Sequence, residues 1–132
     1  QAGGGCESKL VDVRGPGEWD GTVKHHYPFF SKAGHIPTAI FQGDWDNLLD
    51  RGSRKLAPAL DSVEHRWREQ GVIDLGVETQ ATTVIFYCGA GWRSSLSFLA
   101  ALLLGVRAKN YDDGFYGWSW GGENEIALGR GG

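Results

Sequence analysis

The sequence predicts an α/β fold with a mainly parallel sheet, on three observations. Short runs of β-branched and aromatic residues alternate with longer segments of helical periodicity. Glycine and proline fall between those segments, where chain reversals are needed. The clearest unit is Val84 to Leu104, an apolar run that enters a glycine-containing loop and leaves into a leucine-rich stretch, the pattern of strand, tight turn and helix.

In chain order, Lys9 to Val13 is a short apolar run stopped by Arg14-Gly15-Pro16-Gly17, a first strand delivering Asp12 and Arg14 at its carboxyl end. A charged pair there fixes a turn more often than it performs catalysis. Glu18-Trp19 begins a helical turn. Lys24 to Lys32 is a basic, aromatic loop, long enough to serve as a surface excursion or a lid. Gly34-His35-Ile36-Pro37 is a proline-fixed entry to a second strand, Ala39 to Phe41, with His35 read as a hydrogen-bonding turn residue rather than a titrating one. Gly43 to Asp50 is a loop with a short helical turn. Its Asp44, Asp46 and Asp50 lack the glycine-turn spacing of a calcium loop.

From Ala59 to Gln70 a helix buries Leu60, Val63 and Trp67, spaces Glu64 and Arg68 to pair outside, and ends at Gly71. The central strand, Val84 to Tyr87, is reached at Thr82. Ser94 or Ser95 caps the helix over Leu96 to Leu104, and Gly105-Val106 ends it. Ala108 to Tyr111 is a last strand, Asp112-Asp113-Gly114 a turn, and Phe115 to Trp120 an aromatic final segment.

Composition excludes several classes. Hydrophobic residues at 41% and charged residues at 22% suit one domain with one core. No apolar run approaches the ~20 residues of a membrane span. A net charge of −3 without a basic stretch gives no nucleic-acid footprint. The ends, Gln1 to Gly5 and Gly129 to Gly132, are glycine-rich, and methionine is absent, which suggests a domain of a longer protein. No targeting segment is visible, so the compartment is not readable. The two cysteines, Cys6 and Cys88, make neither a disulfide framework nor, with the four histidines at their spacing, a structural metal site. Cys6 reads as an incidental thiol.

Cys88 sits where strand meets loop, and the N–H groups of a glycine loop and a helix start favour an anionic sulfur there. Ligands of parallel sheets bind at this carboxyl edge. Four readings compete. A buried structural cysteine is disfavoured by the polar loop, Gly89, Gly91 and Arg93. A dinucleotide fingerprint, Gly89-x-Gly91-x-x-Ser94 followed by Asp112, comes too late in the chain and carries bulky Trp92 and charged Arg93. A cysteine phosphatase uses Cys-x5-Arg, whereas here Cys88-x4-Arg93 is one residue shorter, with Ser94 at the arginine's place. A smaller loop suits a smaller group, a single sulfur atom held on Cys88 as a persulfide.

Four segments in register, Leu10-Val-Asp-Val-Arg14, Ala33-Gly-His-Ile-Pro37, Ile85 to Ser95 and Tyr111 to Trp118, resemble the rhodanese, or sulfurtransferase, domain. The loop Cys-Gly-Ala-Gly-Trp-Arg is most similar to the catalytic C-terminal domain of tandem-domain thiosulfate sulfurtransferases, which include a periplasmic branch. The resemblance implies a rhodanese-like fold, a five-stranded parallel sheet flanked by helices, over residues 9–122, with 1–8 a lead-in and 123–132 a tail. It implies Cys88 as the catalytic nucleophile, taking sulfur from a small anionic donor such as thiosulfate and passing it to cyanide or a thiol. A thioredoxin-like protein is one such acceptor. It further implies that Gly89, Ala90, Gly91, Trp92 and Arg93 bind substrate, Arg93 attracting the donor and Trp92 walling the pocket. Asp12, Arg14 and Ser94 support the site. No metal or organic cofactor is implied, and other rhodanese domains of a parent chain are expected partners. One position departs from the two-domain enzymes. Glu18 stands where an arginine helps to bind the donor, which weakens the case for mercaptopyruvate.

Overall fold

The structure, a computed structural model, describes residues 8–23, 32–43, 48–50, 55–56 and 60–129. Its central sheet has four parallel strands in the order β2-β1-β5-β6: β1 (Ser8–Asp12), β2 (Ile40–Phe41), β5 (Thr83–Tyr87) and β6 (Arg107–Asn110). A separate antiparallel pair joins β3 (Leu49–Asp50) to β4 (Lys55–Leu56). The helices are α1 (Pro16–Asp20), α2 (Leu60–Glu69), α3 (Trp92–Leu103) and α4 (Gly114–Ser119). The α/β class and its parallel sheet are therefore as expected. The expected strands lie within one residue of β1, β2 and β6.

Two expectations need correction, and one segment with no expected element gains one. Asp50 belongs to the small antiparallel pair rather than to a helical loop. The aromatic segment after Gly114 is a helix, too short to show a period. The helix after Cys88 starts at Trp92, so Ser94 and Ser95 lie in its first turn and Gly91 takes the cap position.

Successive strand residues face opposite sides, and this alternation sorts the core into two layers. Val11, Val84, Phe86 and Cys88 pack with Val63 and Trp67 of α2 and with Ala100 and Ala101 of α3. On the other side Tyr87 packs with Trp19 of α1, Ile36 and Phe115 of α4. Both long helices end on a glycine in a Schellman arrangement: Val72 N–H reaches Trp67 O at 2.9 Å, and Val106 N–H reaches Ala101 O at 2.9 Å. Glu64 and Arg68 pair on α2 as their spacing predicts, at 3.0 Å. His35 is a structural residue. Its ring stacks on Trp19 at 3.4 Å, its Nδ1 contacts Trp19 O at 2.7 Å, and its backbone exchanges two hydrogen bonds with Ala127, tying residues 123–129 to the domain.

Asp12 and Arg14 leave β1 into the second layer, where both are fully buried. Arg14 donates from Nε and Nη2 to Asp12, the latter at 2.8 Å, and from Nη2 to Gly34 O at 2.6 Å. Burial alone would lower the guanidinium's pKa, but the charge and hydrogen bonds of Asp12 outweigh it and raise it. Asp12→Asn leaves that cation uncompensated and should destabilise the fold by about 3–5 kcal/mol. Asp12→Leu combined with Arg14→Met should recover most of the loss, read from urea midpoints.

Candidate active site

The central strand β5 delivers Cys88 at its carboxyl end, with the side chain buried in the α3 layer. Cys88 Sγ accepts the Gly91 N–H at 3.1 Å and lies 3.4 Å from Ser94 Oγ. The loop that makes this possible is pressed closely against the entry to α4. Gly91 has φ +92°, and a Cβ there would lie 2.6 Å from Asp112 O. At Gly114 a Cβ would meet Gly89 O at 2.5 Å and Cys88 O at 2.6 Å. Only glycine permits both approaches.

That contact also orients the loop. Phe115 N–H donates to Cys88 O at 2.8 Å and Tyr116 N–H to Gly89 O at 3.0 Å. Across a trans peptide the C=O and the next N–H point oppositely. The amides of Gly89 and Ala90 are therefore turned away from α4, with the Gly91 amide already on the sulfur.

Asn110, at the carboxyl end of β6, is the site residue that sequence reasoning missed. Its Oδ1 accepts from Ser94 Oγ at 2.6 Å and its Nδ2 donates to Gly91 O at 3.3 Å. An amide oxygen only accepts, so the Ser94 hydrogen points to Asn110 and the Ser94 oxygen faces the sulfur. A negatively charged sulfur would draw that hydrogen to itself. The available signal was position, because Asn110 ends a strand on the same sheet edge as Cys88.

Arg93 is engaged across the chain. It donates to both carboxylate oxygens of Glu18, at 2.7 and 3.0 Å, and Glu18 is only 3% exposed. Glu18 also accepts the Gly15 N–H at 3.2 Å. Burial pushes the Glu18 carboxyl up, but the hydrogen bonds and charge of Arg93, with Arg14 and Gly15, hold it below its ordinary value. The two charges at the loop thus neutralise each other, the anion that would repel a donor and the cation expected to attract one.

An open pocket of about 300 Å³ lies beside the loop, lined by Ala90, Gly91, Trp92, Ser95 and Asp112. Trp92 is one of these lining residues and stays 80% exposed. Asp12 and Arg14 stand apart from the loop: the Arg14 guanidinium lies 4.5 Å from the ring centre of Phe115, whose N–H donates to Cys88 O. Cys6, Asp44, Asp46 and Lys24 to Ser31 lie outside the described residues. Among the described residues no cluster of His, Cys, Asp and Glu could hold a metal ion, and no helix is long and apolar enough to cross a membrane.

Comparison with known proteins places this site in context. Residues 2–119 match the Rhodanese-like domain. The chain is 44% identical over 132 residues to thiosulfate sulfurtransferase YnjE of Escherichia coli (strain K12), covering 94% of this chain and 28% of that protein. It is 33% identical over 116 residues to a thiosulfate sulfurtransferase of Corynebacterium glutamicum, covering 83% and 35%. The chain therefore spans about a third of these relatives or less. Among solved structures, EanB in a cysteine-persulfide tetrahedral intermediate state with ergothioneine superposes with a TM-score of 0.80 at 32% identity, over 94% of this chain and 29% of that one. An anaerobic ergothioneine biosynthesis enzyme from Chlorobium limicola, bound to trimethyl histidine, gives a TM-score of 0.79 at 33% identity, over 94% and 29%.

Because Glu18 titrates below its ordinary value of 4.5, its stabilising effect is complete above that value and is lost as pH falls through its folded pKa. Glu18→Gln should lower the urea midpoint at neutral pH and approach wild type only in acid, once the pH has fallen below the lowered folded pKa of Glu18. Equal destabilisation across that range would contradict the pairing.

Proposed function

The chain belongs to the Rhodanese-like domain family, and on that footing we propose that it is a sulfurtransferase in which Cys88 carries a sulfane sulfur as a persulfide. The observation that carries this reading is the sulfur itself, buried at the sheet's carboxyl edge with the Gly91 N–H on it at 3.1 Å. Its relatives named thiosulfate sulfurtransferase, and the persulfide state of EanB, support the same chemistry.

In the first half-reaction the Cys88 thiolate attacks the outer sulfur of thiosulfate. That S–S bond breaks and sulfite leaves with the electron pair. The outer sulfur, now anionic on Cys88, needs donors, and the amides of Gly89, Ala90 and Gly91 with the Ser94 hydroxyl are the groups proposed to supply them. In the second half-reaction cyanide or a thiolate attacks that sulfur, the Cys88 S–S bond breaks and Cys88 departs as thiolate. Charge and atoms balance in each half without a cofactor.

A second reading is a carrier that accepts persulfide from a protein and turns over free thiosulfate slowly. The Arg93–Glu18 pair favours it, since the neutralised arginine draws a small dianion less strongly. Further rhodanese domains of a parent chain belong to this proposal as partners. Phosphatase chemistry is disfavoured, because the loop is one residue short and its arginine is held by a carboxylate.

Intact mass after thiosulfate treatment should rise by one sulfur in wild type and not in Cys88→Ser, and cyanide should remove it as thiocyanate. A sulfur gained from a protein persulfide but not from thiosulfate would select the carrier reading. Aryl phosphate turnover lost in Cys88→Ser would overturn both. Ser94→Ala should keep the fold and slow the first half-reaction about tenfold, the ~1.4 kcal/mol of one hydrogen bond to charged sulfur, measured by stopped-flow sulfite release.

A further inference from the structure

Helix α3 packs Leu96 and Phe98 against the core beside several small residues, and leaves its other large apolar residues outside. Ser94, Ser97, Ala100 and Ala101, all small, are buried against the sheet. Among its large apolar residues, Trp92 is 80% exposed, Leu99 44%, Leu102 50% and Leu103 56%. At 100° per residue, Trp92, Ser95, Leu99, Leu102 and Leu103 fall within one arc of the helix, so the exposed residues form a continuous stripe. An outward leucine is unremarkable singly, whereas a stripe along the whole helix marks an interaction surface.

The stripe begins beside the Cys88 loop, since Trp92 and Ser95 also line the pocket there, next to the buried Cys88. Whatever covers it covers the pocket mouth. Its extent is small, a helix of 12 residues roughly 18 Å long and a strip roughly 10 Å wide. That is well below the ~800 Å² per partner of a stable complex and suits a partner that leaves after each encounter. The charge at the mouth is also informative. Arg93 is neutralised by Glu18, while the exposed Asp112 and Asp113 stand beside the loop.

We propose that the outer face of α3 is the docking surface for a protein thiol acceptor, one with an apolar rim around its cysteine and a cation placed to meet Asp112 and Asp113. This rests on Cys88 carrying persulfide. The acceptor's thiolate attacks the outer sulfur, the Cys88 S–S bond breaks, Cys88 leaves as thiolate and the acceptor departs as the persulfide. The proton of its thiol goes to solvent, and a neighbouring cation favours that ionisation.

The test uses the chain preloaded with sulfur, the load confirmed by intact mass, so that a failure of the persulfide reading is seen before any transfer is measured. Transfer to reduced thioredoxin and to cyanide is compared in wild type, in Leu99→Glu/Leu103→Glu and in the milder Leu99→Ser/Leu103→Ser. The expected result is a tenfold or greater rise in KM for thioredoxin in both variants, with the cyanide rate within twofold of wild type. Asp112→Asn/Asp113→Asn should shift the same KM and flatten its salt dependence. Three outcomes would overturn the proposal: thioredoxin transfer unchanged in the leucine variants, transfer in wild type no faster than to a small dithiol at equal thiol concentration, or a dimer in sedimentation that the leucine variants abolish. The last would give the face to a second copy of the chain.

Discussion

The buried Asp12–Arg14 ion pair is the constraint on which the site's geometry hangs. Two charges removed from water are stable only with good mutual geometry and every remaining hydrogen-bonding position considered. Arg14 meets the demand for geometry by forking onto Asp12, reaching Gly34 O and lying over the Phe115 ring, while its Nη1 is buried with no hydrogen-bond partner among the described residues. Those contacts join the end of β1, the turn before β2 and the start of α4. Since Phe115 N–H holds Cys88 O, the pair also fixes where the reactive loop begins. Tyr87 lies beside them, its ring centre 5.8 Å from the Arg14 guanidinium. It accepts the Ile36 N–H at 3.0 Å, and burial followed by the charge of Asp12 raises its pKa.

The loop then works by subtraction. Its carbonyls are occupied by α4, its serine by Asn110 and its arginine by Glu18. What is directed at the sulfur is neutral, the Gly91 N–H at 3.1 Å with the Ser94 hydroxyl 3.4 Å away. Such a site can hold a single polarizable anionic atom without offering a full counter-charge, which fits the sulfur transfer proposed for it.

The sequence showed those parts of the molecule governed by local rules. The central strand and loop were legible because a β-rich run, two glycines and a leucine-rich run are adjacent in the chain. The glycine endings of α2 and α3 were legible for the same reason. The start of α3 was not, because serines are good caps in isolation, whereas here the close approach to Asp112 requires Gly91 in that place. The Glu18–Arg93 pair joins residues 75 apart, and no spacing rule connects them. Asn110 gains its role only from the parallel register of β5 and β6, which sets it beside Ser94. The β3–β4 pair consists of two-residue strands, too short for any alternation to register.

The small residues on the inward face of α3 bear on how such a domain can diverge. With serine and alanine inward, the helix sits close to the sheet, and its first turn comes near enough for the Gly91 amide to reach the sulfur. An added methyl group at Ser97 or Ala100 would wedge the helix outward and lengthen that contact, so the inward positions are held small by a hydrogen bond made at the start of the helix. The outward leucines carry no such burden. A lineage can therefore rewrite one side of this helix to suit a new associate while the other side, and the reaction with it, stays fixed.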